Sequence, residues 1–324
     1  MQIPAEITRY IENYNAEYGQ AKLTEAAHKL SNRYREQNSC GKPLISNEAE
    51  ALAYVTARMP ATYGAVYSAL SETLLGVPSL KINSVLDVGA GTGAASYAAD
   101  VLLDPESIVC LERDFRMSSI GKDLFSKSSA ALQNAIWKTY DITGGNLPYH
   151  GDLVVSSYVL NELNPQSLDD AILKLWGAAD QILLLVEPGT PKGYSILKRA
   201  RDILLKQKAH IVAPCVHERN CPLPENDWCH FTCRIPRSRM HKQLKSADAP
   251  YEDEKFTYLA VTPKEIPANH NGRILRHPQI SKGYLTMDVC TENGIAKVKY
   301  SKKDGTLYKS ARKKGAGNSI PLPE

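Results

Sequence analysis

The sequence predicts an α/β protein built on a doubly wound parallel sheet. Short apolar runs at 82–88, 107–111, 135–140, 152–157 and 181–186 alternate with helical stretches. Runs that are apolar throughout suit strands buried on both faces, as in a sheet covered by helices on either side. The first run leads straight into Gly89-Ala-Gly-Thr-Gly93 and an alanine-rich stretch, which reads as a strand, a tight turn and a helix. A cysteine-rich segment then breaks the alternation, and short β-like runs follow it.

Residues 1–78 read as an N-terminal helical region. Apolar residues recur at three- and four-residue steps through Ile7, Tyr10 and Ile11, and again through Ala49, Leu52, Val55 and Met59. Ser46 and Asn47 can cap the second pattern, and Pro60 is expected to end or kink it. Residues 79–210 carry the Rossmann-like domain, including helix signals near 165–170 and a helix over 193–208. Residues 211–250 form the cysteine-rich segment. Residues 251–324 are expected to form a small β subdomain with a basic tail, its strands at 256–261, 272–275, 284–290 and 295–300.

Composition narrows the function classes. A chain of 324 residues with 43% hydrophobic content can bury a sizeable core. No window approaches the roughly 18 apolar residues of a membrane-spanning helix, and the N-terminus lacks an export-type apolar stretch, so a soluble protein is expected. The net charge of +4 is small. Its distribution says more: between 296 and 314 lie Lys297, Lys299, Lys302, Lys303, Lys309, Arg312, Lys313 and Lys314 against one acid, Asp304. Such a run suits phosphate contacts or a solvated terminus. Arg234, Arg237, Arg239, His241, Lys242 and Lys245 form a second basic group.

Gly89, Gly91 and Gly93 let the backbone turn tightly and approach a ligand at a helix N-terminus. The spacing Gly89-x-Gly91-x-x-Ala94 also fits a dinucleotide fingerprint, which leaves an NAD-dependent oxidoreductase open, as well as a purely structural turn. Asp87, just before the glycines, speaks for an adenosyl sulfonium ligand. An acid there can accept from an amino group, whereas beside two phosphates it would repel. Glu112 at the end of the second run can accept ribose hydroxyls, and Asp141 at the end of the third can meet an adenine amine. The order Asp-x-Gly-x-Gly-x-Gly, Glu, Asp resembles class I methyltransferases that bind S-adenosylmethionine.

Seven cysteines are present, and four of them, Cys215, Cys221, Cys229 and Cys233, fall within nineteen residues beside His217 and His230. Thiolates gathered this way suit soft metals. The spacings do not match the short paired spacing of common zinc sites, so zinc, an iron–sulfur cluster and free thiols all stay open. Cys40 and Cys110 stand alone.

Several segments together resemble the Rsm-type methyltransferase-like proteins of the small ribosomal subunit, which are known from mitochondria and as bacterial homologues. They are Leu86-Asp-Val-Gly-Ala-Gly-Thr-Gly93, Tyr158-Val-Leu-Asn-Glu-Leu163, Val186-Glu-Pro-Gly-Thr-Pro191, Ala213-Pro-Cys-Val-His-Glu218 and Trp228-Cys-His-Phe231, with Lys255-Phe-Thr-Tyr-Leu-Ala260 extending the match. The resemblance covers roughly residues 40–315. It implies a role in small-subunit assembly or translation and an iron–sulfur cluster, of the 4Fe–4S type, on four cysteines. Three ligands carry over onto Cys215, Cys221 and Cys229. The fourth falls on Cys290, not on Cys233, which local spacing would choose. The resemblance further implies the small subunit and its RNA as partners. It places a monomeric protein in the bacterial cytoplasm or, for a eukaryotic homologue, in the mitochondrial matrix. It assigns no catalytic residue: Tyr158, Asn161 and Glu162 stand where a substrate would approach, and packing explains them equally well. Two functions follow, an RNA-directed methyltransferase and a non-catalytic assembly factor that keeps the fold as a scaffold.

Overall fold

The computed structural model describes residues 2–19, 22–26, 29, 45–237, 242, 249–266 and 271–323. Helix α1 (Ala5–Tyr18) is followed by α2 (Glu48–Ala57) and α3 (Met59–Gly76). Asn47 caps α2, its side chain accepting from the Glu50 amide at 2.9 Å. The pattern breaks just ahead of Pro60, as expected: α2 ends at Ala57 and α3 begins at Met59. Pro60 sits in the first turn of α3, where its missing N–H costs nothing and its fixed φ suits the helix. Cys40, Arg239, His241 and Lys245 lie outside the described residues.

The main sheet contains β1 (Ser84–Val88), β2 (Ser107–Glu112), β3 (Ile136–Thr139), β4 (Gly151–Ser157), β5 (Ala179–Pro188), β6 (His210–Ala213), β7 (Phe231–Pro236) and β8 (Tyr251–Thr262). Its strand order is β3-β2-β1-β4-β5-β8-β6, with β7 paired to β8. Strands β1 to β5 run parallel, while β8 enters antiparallel between β5 and β6, placing Leu184 opposite Ala260. This order, with a late antiparallel strand between the fifth and sixth, is the class I methyltransferase arrangement. The segment 256–261, expected in the C-terminal subdomain, therefore belongs to the main sheet. β6 and β7 likewise draw both ends of the cysteine-rich segment into it.

Strand alternation explains the two cores. Along β1, Val85 packs into one layer with α1 to α3, and Leu86 and Val88 pack into the other. Helices α4 (Ala94–Leu103), α5 (Phe115–Phe125) and α6 (Ala130–Gln133) cover the first face. Helices α7 (Leu168–Gly177) and α8 (Pro191–Lys206) cover the second. Each fully buried Leu or Val contributes about 1.5–3 kcal/mol, so the continuous apolar runs β4 and β5 anchor both layers.

A third core, centred on Ile274, Leu285, Met287, Val289 and Tyr300, marks the C-terminal subdomain. Its five-stranded antiparallel sheet comprises β9 (Gly272–Ile274), β10 (Gln279–Ser281), β11 (Tyr284–Thr291), β12 (Gly294–Ser301) and β13 (Ser319–Ile320), with α9 (Gly305–Ala311) packed on it. Among the described residues, no helix is long and apolar enough to cross a membrane.

Candidate functional site

The glycine turn lies at the carboxyl ends of the parallel strands, where ligands of open α/β sheets bind. The Gly89 and Ala90 amides donate to the Leu111 carbonyl at 2.8 and 3.0 Å, tying the turn to β2. All three glycines have φ between +56° and +86°. A Cβ on Gly89 would stand 2.3 Å from Val159 Cγ2, and one on Gly93 2.4 Å from Phe125 Cζ. Close approach therefore requires glycine at both positions.

Of the three acids expected at this site, Glu112 and Asp87 lie by the turn and the helix that follows it. Glu112 accepts from the Gly91 and Asp114 amides at 2.7 Å each, holding its carboxylate against the turn. Asp87 Oδ2 accepts from the Ser96 amide at 3.1 Å and the Ser96 hydroxyl at 2.8 Å, while its Oδ1 is buried without a partner. Burial raises the Asp87 carboxyl to about 7, against the Ser96 bonds that lower it, and the Glu112 charge adds to the rise. Burial likewise raises Glu112. Asp141 lies further out. Burial works to raise it, but bonds from Thr143 and the nearby Arg113 prevail and lower it. Its Oδ1 accepts from the Thr143 amide and hydroxyl at 2.9 and 2.7 Å, and Arg113 lies 4.0 Å from Oδ2.

Two further carboxylates, to which the sequence assigned no ligand role, crowd the same end of the sheet. Glu187 at the end of β5 is fully buried and accepts from the Leu160 amide and the Asn161 side chain, each at 2.8 Å. Burial raises it to about 8 despite those bonds. Burial also raises Glu162 to about 7, although Arg113 stands 3.8 Å away. Asp87, Glu112, Glu162 and Glu187 thus share one buried region, with Arg113 beside Glu162. In their ionised forms these acids would favour a cationic ligand.

Tyr158, just past the carboxyl end of β4, has φ +61°, uncommon for a bulky residue. Its hydroxyl donates to Glu254 at 2.9 Å, and Arg58 pairs with that acid at 3.3 Å while lying over the ring. The side chain is thus committed to β8 and α3. Val159, not a polar group, packs against the glycine turn.

The cysteines meet on the other side of β5. Cys215, Cys221, Cys229 and Cys290 line one pocket of about 660 Å³, counted to its open mouth. Burial raises the thiols of Cys229 and Cys290, and their neighbours among the four add to the rise, reaching about 12 at Cys290. Cys233 does not line this pocket. It is buried on β7, near Glu254 and Ser68. Among the described residues, no three His, Cys, Asp or Glu side chains close on a point as ligands of a single ion would.

The pocket's exposed lining is mostly apolar, with the buried guanidiniums of Arg201 and Arg273 among its wall residues. Helix α8 presents Tyr194, Leu197 and Arg201 from one face, as the three- and four-residue steps of a helix dictate. The Tyr194 hydroxyl donates to Cys221 Sγ at 3.2 Å, and His217 Nε2 lies 3.9 Å from Cys290 Sγ. Burial raises the Cys215 thiol, and Arg201 works against that rise. His217 and Tyr258 line the pocket, and His217 Nδ1 and the Tyr258 hydroxyl have no hydrogen-bond partner among the described residues. Neither Tyr194 nor Arg201 was singled out by the sequence, although both follow Glu187-Pro-Gly on one helical face. The basic group at 234–245 is partly engaged: Arg234 makes a bidentate pair with Asp253 at 2.8 and 2.9 Å.

The family model of the mitochondrial small ribosomal subunit protein Rsm22 matches residues 48–321. The human mitochondrial ribosome assembly protein METTL17 is 25% identical over 97% of this chain and 71% of its own length. A mitochondrial Rsm22-cox11 tandem protein of Schizosaccharomyces pombe is 24% identical over 92% of this chain, which spans 46% of that longer protein. Among solved structures, the magnesium protoporphyrin IX methyltransferase of Synechocystis with bound S-adenosylhomocysteine aligns with a TM-score of 0.43 at 16% identity, over 72% of this chain and 94% of that one.

Proposed function

This chain belongs to the mitochondrial small ribosomal subunit Rsm22 family, and from that membership we propose that it binds S-adenosylmethionine and acts on or binds small-subunit ribosomal RNA during ribosome assembly. The observation that carries the cofactor reading is the set of buried carboxylates around the glycine turn, with Asp87 Oδ1 and Thr92 Oγ1 unpartnered within it. Bound there, the cofactor supplies an electrophilic methyl group. Asp87 would accept from its amino group, Glu112 from its ribose hydroxyls and Asp141 from its adenine amine. The turn at Gly89, Gly91 and Gly93 would admit it without a Cβ in the way.

The cysteine pocket is read as the seat of an iron–sulfur cluster of the 4Fe–4S type, held by Cys215, Cys221, Cys229 and Cys290. One observation supports this: a thiolate-ligated cluster is anionic, and Arg201, Arg273, Tyr194 and His217 line this pocket beside the four cysteines. Zinc is the alternative occupant of the same cysteines. A structural role fits a loop with little core of its own, because ligation supplies its folding free energy.

A second reading, an assembly factor that binds without transferring a methyl group, rests on the end of β4. Tyr158 is turned toward Glu254, and Val159 covers the glycine turn where a group polarising the acceptor would stand. The relatives named above are mitochondrial proteins, so the matrix is the expected site for a eukaryotic homologue and the cytoplasm for a bacterial one. A monomer is expected.

Binding of radiolabelled S-adenosylmethionine, followed by transfer to small-subunit RNA, tests both readings. Binding with transfer supports the enzyme, and binding alone supports the factor. No binding removes the cofactor reading. Iron, sulfide and zinc content after anaerobic purification tests the cluster, and stoichiometric zinc without iron removes it.

A further inference from the structure

We propose that one end of the C-terminal sheet is a single-stranded RNA-binding surface, formed by Lys282, Tyr284, Lys299, Lys302 and Lys303, with Tyr284 as the platform on which a base stacks. The inference rests on the RNA-directed reading above and assigns it a surface.

Topology brings these residues together. Tyr284 opens β11 and pairs with Ser301 at the end of β12, and Thr286, two residues along, pairs with Lys299. Side chains two apart on a strand share a face, so Tyr284 and Lys299 are diagonal neighbours across the ladder. The Lys299 ammonium lies 4.4 Å from the centroid of the Tyr284 ring. Lys282 lies in the β10–β11 turn, and the Lys302 amide donates to the Gly283 carbonyl of that turn at 3.1 Å. All five side chains are exposed.

Three features separate this end from an ordinary solvated face. Tyr284 is exposed, and its ring has a cation in place before any ligand arrives. The nearby acid, Asp304, is taken up locally, accepting from the Ser301 amide and hydroxyl in a capping box that also fixes Lys302 and Lys303. None of the four lysines forms an ion pair among the described residues. Exposed aromatic and uncompensated cations together are what unpaired nucleotides require: a π-face for the base and positive charge along the backbone. Duplex RNA would offer the phosphates but not the base face. Cys290 lies six residues along the same strand, so this surface stands roughly 20 Å from the cysteine pocket.

The test uses the full chain, purified anaerobically, and a fluorescent single-stranded 12-nucleotide RNA of mixed sequence, with a duplex of equal length and phosphatidylserine-containing vesicles as comparison probes. Tyr284→Ala should weaken single-strand binding about tenfold and leave its salt dependence unchanged, whereas Tyr284→Phe should bind like the parent. Lys302→Gln with Lys303→Gln should reduce the log–log salt slope by about 1.4, at roughly 0.7 for each lost phosphate contact. Unchanged thermal unfolding establishes that the variants fold. If RNA binds but neither substitution moves it, this surface is wrong while the general RNA reading stands. If the parent binds no RNA, or binds the vesicles instead, both fall.

Discussion

The guanidinium of Arg273 closes on the carboxylate of Glu72, joining α3 to β9 across 201 residues of sequence. The same guanidinium donates to the Pro214 carbonyl at 2.9 Å and the Gly317 carbonyl at 2.8 Å. Glu72 in turn accepts from the Asn318 side chain at 2.7 Å and the Ser319 amide at 3.1 Å. One buried pair thus fastens the helical region, the start of the cysteine loop and the C-terminal strand together. Arg273→Met should cost about 3–5 kcal/mol, because it strands the Glu72 charge. Glu72→Gln should cost about 1–3 kcal/mol. Urea denaturation measures both, and an Arg273→Met protein within about 1 kcal/mol of the parent would show that the three segments are joined elsewhere.

The raised carboxyls make a pH prediction with a definite sign. Asp87 and Glu162 at about 7 and Glu187 at about 8 hold their protons more tightly folded than unfolded. Their contribution to stability is therefore complete below pH 4 and is lost as pH rises toward 8. Over that window the free protein should lose on the order of a few kcal/mol. A cationic ligand needs the ionised acids, so its binding should tighten as pH rises and should release protons. Thermal unfolding between pH 5.5 and 8.5, with and without S-adenosylmethionine, would show a ligand-induced shift growing with pH. A shift that shrinks across this range would mean that these acids do not face the ligand.

The glycine turn separates steric from conformational demands. An alanine at Gly93 meets Phe125 at 2.4 Å with φ at +86°, whereas one at Gly91 meets only Met117 Cε at 3.5 Å with φ at +56°. Gly91→Ala should cost only the left-handed backbone penalty of about 1–2 kcal/mol. Gly93→Ala should add an overpacking cost of about 1–3 kcal/mol. Chemical denaturation of the two variants checks the order. Equal losses would mean that Phe125 swings aside freely.

These strands were legible because both faces of β1, β4 and β5 are buried, which leaves continuous apolar runs in the sequence. The segment at β8 was legible as a strand but not as a member of the main sheet. Its pairing with Leu184 and Val186 is a tertiary fact that no local pattern encodes. Pro60 shows the limit of local rules: proline is equally suited to follow one helix and to begin the next. Asp87 and Glu112 could be placed beside the turn because strand ends next to a glycine turn fix where side chains go. Arg273 carried no such marker, and its role arises only from what surrounds it.

The Tyr194 hydroxyl donates to a thiol proposed as a cluster ligand, and hydrogen bonds to ligating sulfur raise a cluster's reduction potential. Tyr194→Phe should therefore lower the potential while iron and sulfide content stay at the parent's level. Stability should change by no more than about 1.5 kcal/mol, the value of one hydrogen bond. Redox titration followed by electron paramagnetic resonance reads the potential. An unchanged midpoint would place Cys221 outside the ligand set.

Cys233 and Cys290 offer opposite predictions for the fourth ligand. Local spacing favours Cys233, four residues from Cys229, but on β7 it packs near Glu254 and Ser68, away from the pocket. A thiolate there would face a carboxylate, which opposes ionisation. Cys290 shares the pocket with Cys215, Cys221 and Cys229 and lies beside His217. Cys290→Ser should therefore lose most of the bound iron and loosen the C-terminal subdomain, since β11 would no longer be tied to the cysteine loop. Cys233→Ser should keep its iron and lose only packing, about 1 kcal/mol for a buried polar swap. Iron and sulfide assays on both variants, with limited proteolysis of the 271–323 region, decide between them. Iron retained by Cys290→Ser and lost by Cys233→Ser would reverse the assignment and require β7 to turn its thiol across the sheet.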